Sequence, residues 1–227
     1  IFYKMKEVIL DTETTGLFIK DGHRIVEIGC IELDNLVPTK NRFHCYLNPE
    51  RKVSEKALEV HGYTDEFLSK QKKFSEVVDE FLNFIENKRL VIHNAEFDLS
   101  HLNNELAMLG KKKLSNENVI DTLALARDKF PGSPTSLDAL CKRYRVDNSK
   151  RTQHTALIDC DLLSKVYINL LDQKEPTLNF RNEENIKTII NSNDSSQYYK
   201  KVIKPTDEDL KLHKEYLKRS LKKNFFN

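Results

Sequence analysis

The chain has 227 residues, 39% hydrophobic and 32% charged, with a formal net charge of +2. That length allows one good-sized core with a small appendage, and the charge is too small to mark a nucleic-acid binder by itself. No apolar run approaches the roughly 20 residues of a membrane span, and Ile1 to Leu10 lacks the pattern of a secretory signal.

Charge distribution says more than its sum. From Gln197 to Asn227 there are nine Lys or Arg against four Asp or Glu, which leaves the rest of the chain slightly acidic. An acidic body with a basic tail suggests two functional regions. Cys30, Cys45, Cys141 and Cys160 lie far apart, which supports neither a zinc site nor a disulfide framework and suits a reducing cytoplasm.

In chain order, Val8-Ile9-Leu10 predicts a short buried strand over Glu7 to Asp11, ending on a carboxylate. Gly16 to Gly22 carries turn residues. Arg24 to Leu33 and Asn41 to Leu47 read as the second and third strands, close enough in sequence to favour antiparallel hairpins. Ser54 caps a short helix ending near His61-Gly62. Phe74, Val77, Val78, Phe81 and Ile85 have helical spacing. Leu90 to Ile92 is a fourth strand, Ala95 to Leu109 a helix stopped by Gly110, and Val119 to Asp121 a fifth strand. Ser136 to Tyr144 and Thr155 to Leu171 complete the helices. Three strands followed by alternating helices and strands predict an α/β layered domain with a mixed sheet over residues 1–171. Residues 172–203 are polar and read as a linker. Within 204–227, Thr206 and the acids after it start a tail helix expected to run to about Lys222.

Three segments carry candidate chemistry. In Asp11-Thr12-Glu13-Thr14-Thr15-Gly16 two carboxylates stand at i and i+2, so in extended chain they face one side. Like charges so placed destabilise each other unless a cation or proton intervenes, and oxygen ligands suit magnesium or manganese. Alone, the pair reads more readily as a turn with solvated acids. In His93-Asn94-Ala95-Glu96-Phe97-Asp98 a strand gives way to a helix with Asp98 in its first turn, on one side with Leu102 and Leu109 and so leaning toward the core. An acid there is also favourable to the helix dipole. In His154-Thr155-Ala156-Leu157-Ile158-Asp159 the last carboxylate interrupts an apolar stripe of Leu162, Leu163, Val166 and Leu170. An unpaired buried carboxylate is costly, so a cation is expected to meet it. His154 falls on the loop before the helix, where a general base could reach a water in the site; a surface histidine is the alternative.

Together the segments resemble the DEDD exonucleases of the histidine subtype, on a ribonuclease H-like fold. The order Asp11-x-Glu13, Asp98 within Asn-Ala-x-Phe-Asp, and His154 with Asp159 five later carries the likeness. The sequence is still more similar to the proofreading epsilon subunits of bacterial DNA polymerase III. Leu10 to Gly16, Val60-His61-Gly62, Val91 to Ala95, Ser136 to Cys141 and Asp147 to Thr152 all look like that family. The likeness covers the first 171 residues well and the tail weakly.

The resemblance implies a central five-stranded mixed sheet flanked by helices and a 3′→5′ exodeoxyribonuclease that removes misincorporated nucleotides during DNA replication. Asp11, Glu13, Asp98 and Asp159 would hold two divalent cations, Mg²⁺ or Mn²⁺, and His154 would be the general base. Hydrolysis would release nucleoside 5′-monophosphates from a DNA 3′ terminus. Thr14 and His61 would join Asp11, Glu13 and Asp159 in binding that terminus, and Lys56 stands where the family usually has an acid. Phe97 is a candidate wedge between bases, with core packing as the alternative. Glu175 to Phe180 lies where the family has its sliding-clamp segment, with Leu178 and Phe180 as anchors and Glu175 in place of the leading glutamine. The basic tail, with Leu210, Leu217 and Leu221 near one side, would dock on the polymerase catalytic (alpha) subunit, and a small accessory subunit is a further possible partner. Competing readings are an RNA 3′-exonuclease of the same fold and a non-catalytic assembly module.

Overall fold

The computed structural model of the protein describes residues 6–149, 151, 153–172 and 205–220, the side chains of 218–220 excepted. Strands β1 (Glu7–Thr14), β2 (Ile25–Asp34) and β3 (Val37–Tyr46) come first. They lead into helices α1 (Glu55–His61), α2 (Asp65–Ser69) and α3 (Phe74–Ile85). Next are β4 (Arg89–Ile92), α4 (Ala95–Met108), β5 (Val119–Asp121), α5 (Thr122–Lys129), α6 (Leu137–Tyr144) and α7 (Ala156–Leu170). One sheet has the order β3-β2-β1-β4-β5. The first three strands pair antiparallel, while β4 runs parallel to both β1 and β5. This is the mixed five-stranded sheet expected from the sequence.

The turn between β2 and β3 explains why β3 begins earlier than the apolar pattern indicated. Asn35 and Leu36 both have positive φ, 49° and 64°, which suits a two-residue hairpin whose twist matches its strands. Asp34 therefore pairs with Val37 and Leu33 with Pro38. Pro38 is tolerated because β3 is an edge strand.

Side chains of β1 alternate between two cores. Val8 and Leu10 pack with Phe81 and Leu102 of α3 and α4. Ile9 packs with Leu140 of α6 and Leu163 and Val166 of α7. Each such buried aliphatic side chain contributes about 1.5–3 kcal/mol relative to exposure. The strand runs three residues beyond the expected Asp11, and its pairing with β2 continues to Thr14. Alternation therefore sends Asp11 and Glu13 to the α7 face and Thr12 to the α4 face.

The predicted caps are present. Ser54, Ser136 and Thr155 each accept a hydrogen bond from the backbone N–H three residues on. Helices α2 and α5 were not foreseen. The first is short and the second buries only Thr122 and Ala126, too little for a periodic signal.

The chain separates into two units, Ile1–Leu178 and Asn179–Asn227. The described part of the second includes helix α8 (Asp207–Ser220), whose start is capped reciprocally: Thr206 N donates to Asp209 Oδ2 at 3.0 Å and Asp209 N to Thr206 Oγ1 at 3.2 Å. The expected linker beyond Asp172, the candidate anchors Leu178 and Phe180, and Leu221 lie outside the described residues. Among the described residues no helix is long and apolar enough to cross a membrane.

Candidate active site

The site forms where β1 leaves the core between α4 and α7. Asp11, Glu13, Asp98, His154 and Asp159 all line one cavity of about 480 Å³. Asp98 and Asp159 each occupy the first turn of a helix and are 2% and 4% exposed.

Each helix is seated by contacts that the strand pattern explains. On the α4 face, Thr12 donates both its backbone N–H (3.0 Å) and its hydroxyl (2.7 Å) to Asp98 Oδ1. Helix α4 begins after Asn94, which takes the left-handed conformation at φ 70° and donates its N–H to the Asp121 carboxylate; asparagine tolerates this backbone better than most residues. On the α7 face, Gly29 of β2 lies against the start of the helix. A Cβ there would stand 2.6 Å from the Ala156 carbonyl carbon. Glycine thus permits the close approach that brings Asp159 to Asp11 and Glu13.

One ligand atom each from Glu13, His154 and Asp159 lie within 4.8 Å of one another. His154 sits on the loop before α7, partly exposed, as its position in the sequence implied. Arg151 braces this corner. Its guanidinium makes two 2.6 Å bonds to Asp159, one of 2.7 Å to Asp138, and one of 2.7 Å to His154 Nδ1. Because arginine can only donate, Nδ1 is the accepting nitrogen.

The carboxylates carry the electrostatic mark of a cation site. Burial, then the charges of Asp98 and Glu13, hold the Asp11 carboxyl well above its ordinary range. Burial and the charge of Asp159 push Glu13 up to about 8. Burial raises Asp98 to about 7 despite its hydrogen bonds from Thr12. Asp159 is the exception: burial would raise it, but His154 and Arg151 outweigh that and hold it low. The group can therefore bind protons or oxygen-seeking cations, and it is suited to hydrolysis assisted by such ions.

A second pocket adjoins the first across Phe97, which is half-buried, lines both, and packs on the His101 ring at 4.8 Å. Thr14, Lys56 and His61 line it with the exposed Leu17 and Phe18. His61 is 1% exposed, and both ring nitrogens are engaged. Nδ1 accepts from Tyr63 N at 3.0 Å, and Nε2 lies 3.3 Å from Thr14 O, so the Nε2–H tautomer fits both. Burial keeps this imidazole less basic than usual. The Thr14 hydroxyl donates to Gly16 O, and Lys56 is exposed on the pocket wall. Gly62 closes α1 in the left-handed conformation, φ 76°, as its place after the helix predicted.

Sequence reasoning assigned no role to Thr12, Arg151 or Asp138. Thr12 was findable by parity, since the residue between two same-facing acids must face the other helix. Arg151 precedes His154 by three residues, but its grip on Asp159 depends on the loop path. Cys30, Cys141 and Cys160 are buried, and all four cysteines are free thiols.

Residues 8–167 match the Exonuclease family. The chain is 47% identical to the DNA polymerase III subunit epsilon of Rickettsia conorii, over 96% of this chain and 97% of that one. It is 48% identical over 171 residues to the protein of that name from Salmonella typhimurium, covering 72% and 70%. Exonuclease X in complex with 5′ overhanging duplex DNA superposes with a TM-score of 0.59 at 25% identity, covering 74% of this chain and 92% of that one. The nuclease domain of 3′hExo, a DEDDh family member bound to rAMP, has the same fold, with a TM-score of 0.66 at 18% identity over 76% and 94%.

Proposed function

The chain belongs to the Exonuclease family and, within it, to the epsilon subunits of DNA polymerase III, and from that premise we propose a 3′→5′ DNA exonuclease that proofreads for a replicative polymerase. The observation that carries this reading is the convergence of Asp11, Glu13, Asp98 and Asp159 with His154 in one cavity.

The donor set fits divalent cations. Raised proton affinities at Asp11, Glu13 and Asp98 come from burial and mutual repulsion, which a bound cation relieves as a proton does. All four candidate ligands offer hard carboxylate oxygens, which suit Mg²⁺ or Mn²⁺. Asp11, Glu13, Asp98 and Asp159 would hold two such ions, which would supply Lewis acidity for the hydrolysis. His154 takes the proton of the attacking water; because Nδ1 accepts from Arg151 at 2.7 Å, that step requires the ring to leave the guanidinium, and the Asp159 carboxylate, 3.5 Å from the ring, stabilises the imidazolium. The second pocket receives the terminal nucleotide, with His61 shaping its floor and Thr14, Lys56, Leu17 and Phe18 around it. Contact with apolar walls reads no base edge, which suits a proofreader that must accept all four bases.

The basic tail, including α8 with its exposed Leu210, carries the contact with the polymerase catalytic subunit. Leu178 and Phe180 remain the candidate clamp anchors. Replication proofreading places the protein in the cytoplasm.

The test is degradation of a 5′-labelled single-stranded DNA and its RNA counterpart, with Mg²⁺ or chelator. A DNA ladder shortening from the 3′ end, dependent on metal and faster than on RNA, is the expected result. Faster loss of RNA, or no cleavage of either, would overturn the reading.

Two further outcomes are expected. In chelator, Glu13 near 8 and Asp98 near 7 keep protons that the unfolded chain has released above about 4.5. The folded state then binds more protons than the unfolded one, so these groups make stability fall as pH rises from about 5 to 8. Bound cations replace those protons, so the rise in Tm produced by Mn²⁺ should grow across that window. The depressed Asp159 acts only at lower pH. Parallel Tm profiles with Mn²⁺ and with EDTA would contradict this.

Arg151→Ala should lower the single-turnover rate about 10- to 100-fold, the usual range for groups that orient metal ligands. Arg151→Lys should recover little, because a point charge cannot reproduce the fork on Asp159. Full activity in the lysine variant would mean that only the charge matters.

A further inference from the structure

Glu27 is an acid on a central stretch of β2, cross-strand from Glu13, and it is 0% exposed. It belongs to none of the candidate ligands, yet three elements converge on it. Its Oε2 accepts from the Tyr63 hydroxyl at 2.7 Å and from Ala156 N at 2.9 Å, and its Oε1 meets His44 Nε2 at 2.7 Å. A buried carboxylate so fully paired is costly to disturb.

The partners matter by where they sit. Ala156 is the first residue of α7, three before Asp159 and two after His154. Tyr63 stacks on His61 with ring centroids 4.8 Å apart and donates its own N–H to His61 Nδ1. The same two segments meet through His154 N, which donates to Val60 O at 3.1 Å. Tyr46 packs edge-on against Tyr63 at 5.2 Å and Phe67 lies tilted against it at 5.9 Å, which restricts its ring further.

We propose that Glu27 is a positioning residue that holds the start of α7 and the His61–Tyr63 segment on one carboxylate oxygen, fixing the metal-ligand helix against the nucleotide pocket. This rests on the assignment of Asp159 to the cations and His61 to the terminal nucleotide. A single acceptor shared by both segments sets their separation to within hydrogen-bond tolerance, and catalysis is sensitive to such placement. The role is geometric, so an uncharged acceptor of the same shape suffices. In Glu27→Gln the amide oxygen can accept from both Tyr63 and Ala156, while the amide nitrogen donates to His44 in its other tautomer.

The test uses the full chain and reads two quantities: the Kd for Mn²⁺ alone by calorimetry and the KM for single-stranded DNA at saturating Mn²⁺. Tyr63→Phe removes one arm and should raise KM at least fivefold while the Mn²⁺ Kd stays within twofold. Glu27→Leu removes both arms and should raise both quantities at least fivefold. Glu27→Gln should restore both to within twofold of the parent, which simple loss of buried charge would not allow. The double variant Glu27→Leu with Tyr63→Phe should show no further rise in KM over Glu27→Leu. The proposal is overturned if Tyr63→Phe leaves KM within twofold, or if Glu27→Gln raises both quantities at least fivefold; neither comparison uses Glu27→Leu, so both remain decisive if that variant fails to fold. Asp159→Asn and His61→Ala serve as controls. If they leave Mn²⁺ binding and KM unchanged, the site assignment itself has failed; if they act and Tyr63→Phe does not, only the coupling has.

Discussion

An Asp11→Asn variant is expected to lose about three orders of magnitude in exonuclease rate while its metal-free form melts at a higher temperature than the parent. Both effects have one cause. Asp11 is surrounded by Asp98, Glu13 and Asp159, and burial adds to their repulsion. Without cations these charges oppose folding, so a neutral side chain of equal size relieves the folded state. With cations the same carboxylate is a ligand, and losing it weakens the charge that stabilises the reacting phosphate. Three orders of magnitude correspond to about 4 kcal/mol of transition-state stabilisation, within what metal-assisted charge stabilisation supplies. The rate comes from single-turnover cleavage of labelled DNA in Mg²⁺, and Tm from thermal unfolding in EDTA. Parental activity would remove Asp11 from the ligand set. A lower Tm in EDTA would mean that repulsion at Asp11 does not oppose folding.

The second large effect is expected at His154. Replacing it with glutamine should cost about 10²–10⁴ in rate, the range for loss of a general base, with Mn²⁺ affinity within a few-fold of the parent. The affinity arm is essential because Glu13, His154 and Asp159 approach closely enough to share one ion. If the imidazole were a ligand, rate and affinity would fall together. If it is the base, only the rate falls, and raising the pH should recover part of it as hydroxide becomes available. Arg151 bonded to Nδ1 makes the ring's orientation depend on where that guanidinium is held.

Much of this site was legible before any coordinates, for reasons that differ by element. Asp11 and Glu13 could be paired because strand parity is two, whatever the sheet topology. Asp98 and Asp159 could be turned inward because Leu102 and Val166 fix which face of each helix is buried. Caps at Ser54, Ser136 and Thr155 were local chemistry. What escaped was set by distant partners. Continuation of β1 through Thr12 to Thr14 depends on pairing with β2 as far as Ile25, and polar residues give no apolar alternation to reveal it. The left-handed Leu36 that starts β3 early is a backbone choice its side chain does not announce. Arg151 and Glu27 act across separations of 8 and 129 residues, on Asp159 and Ala156. No periodicity encodes such meetings.

The alternation of β1 has a consequence for how this protein tolerates change in length. Asp11 and Glu13 reach their partners on one face while Thr12 holds Asp98 on the other. One residue inserted or deleted within Val8–Leu10 exchanges the faces, sending the acids toward α4 and the hydroxyl toward α7. Every atom type needed would still be present, with each on the wrong side. Loops such as Lys111–Lys113, which join α4 to β5 at the surface, can lengthen without touching that order. Substitution can explore β1 one side chain at a time, but drift in length is confined to the connections.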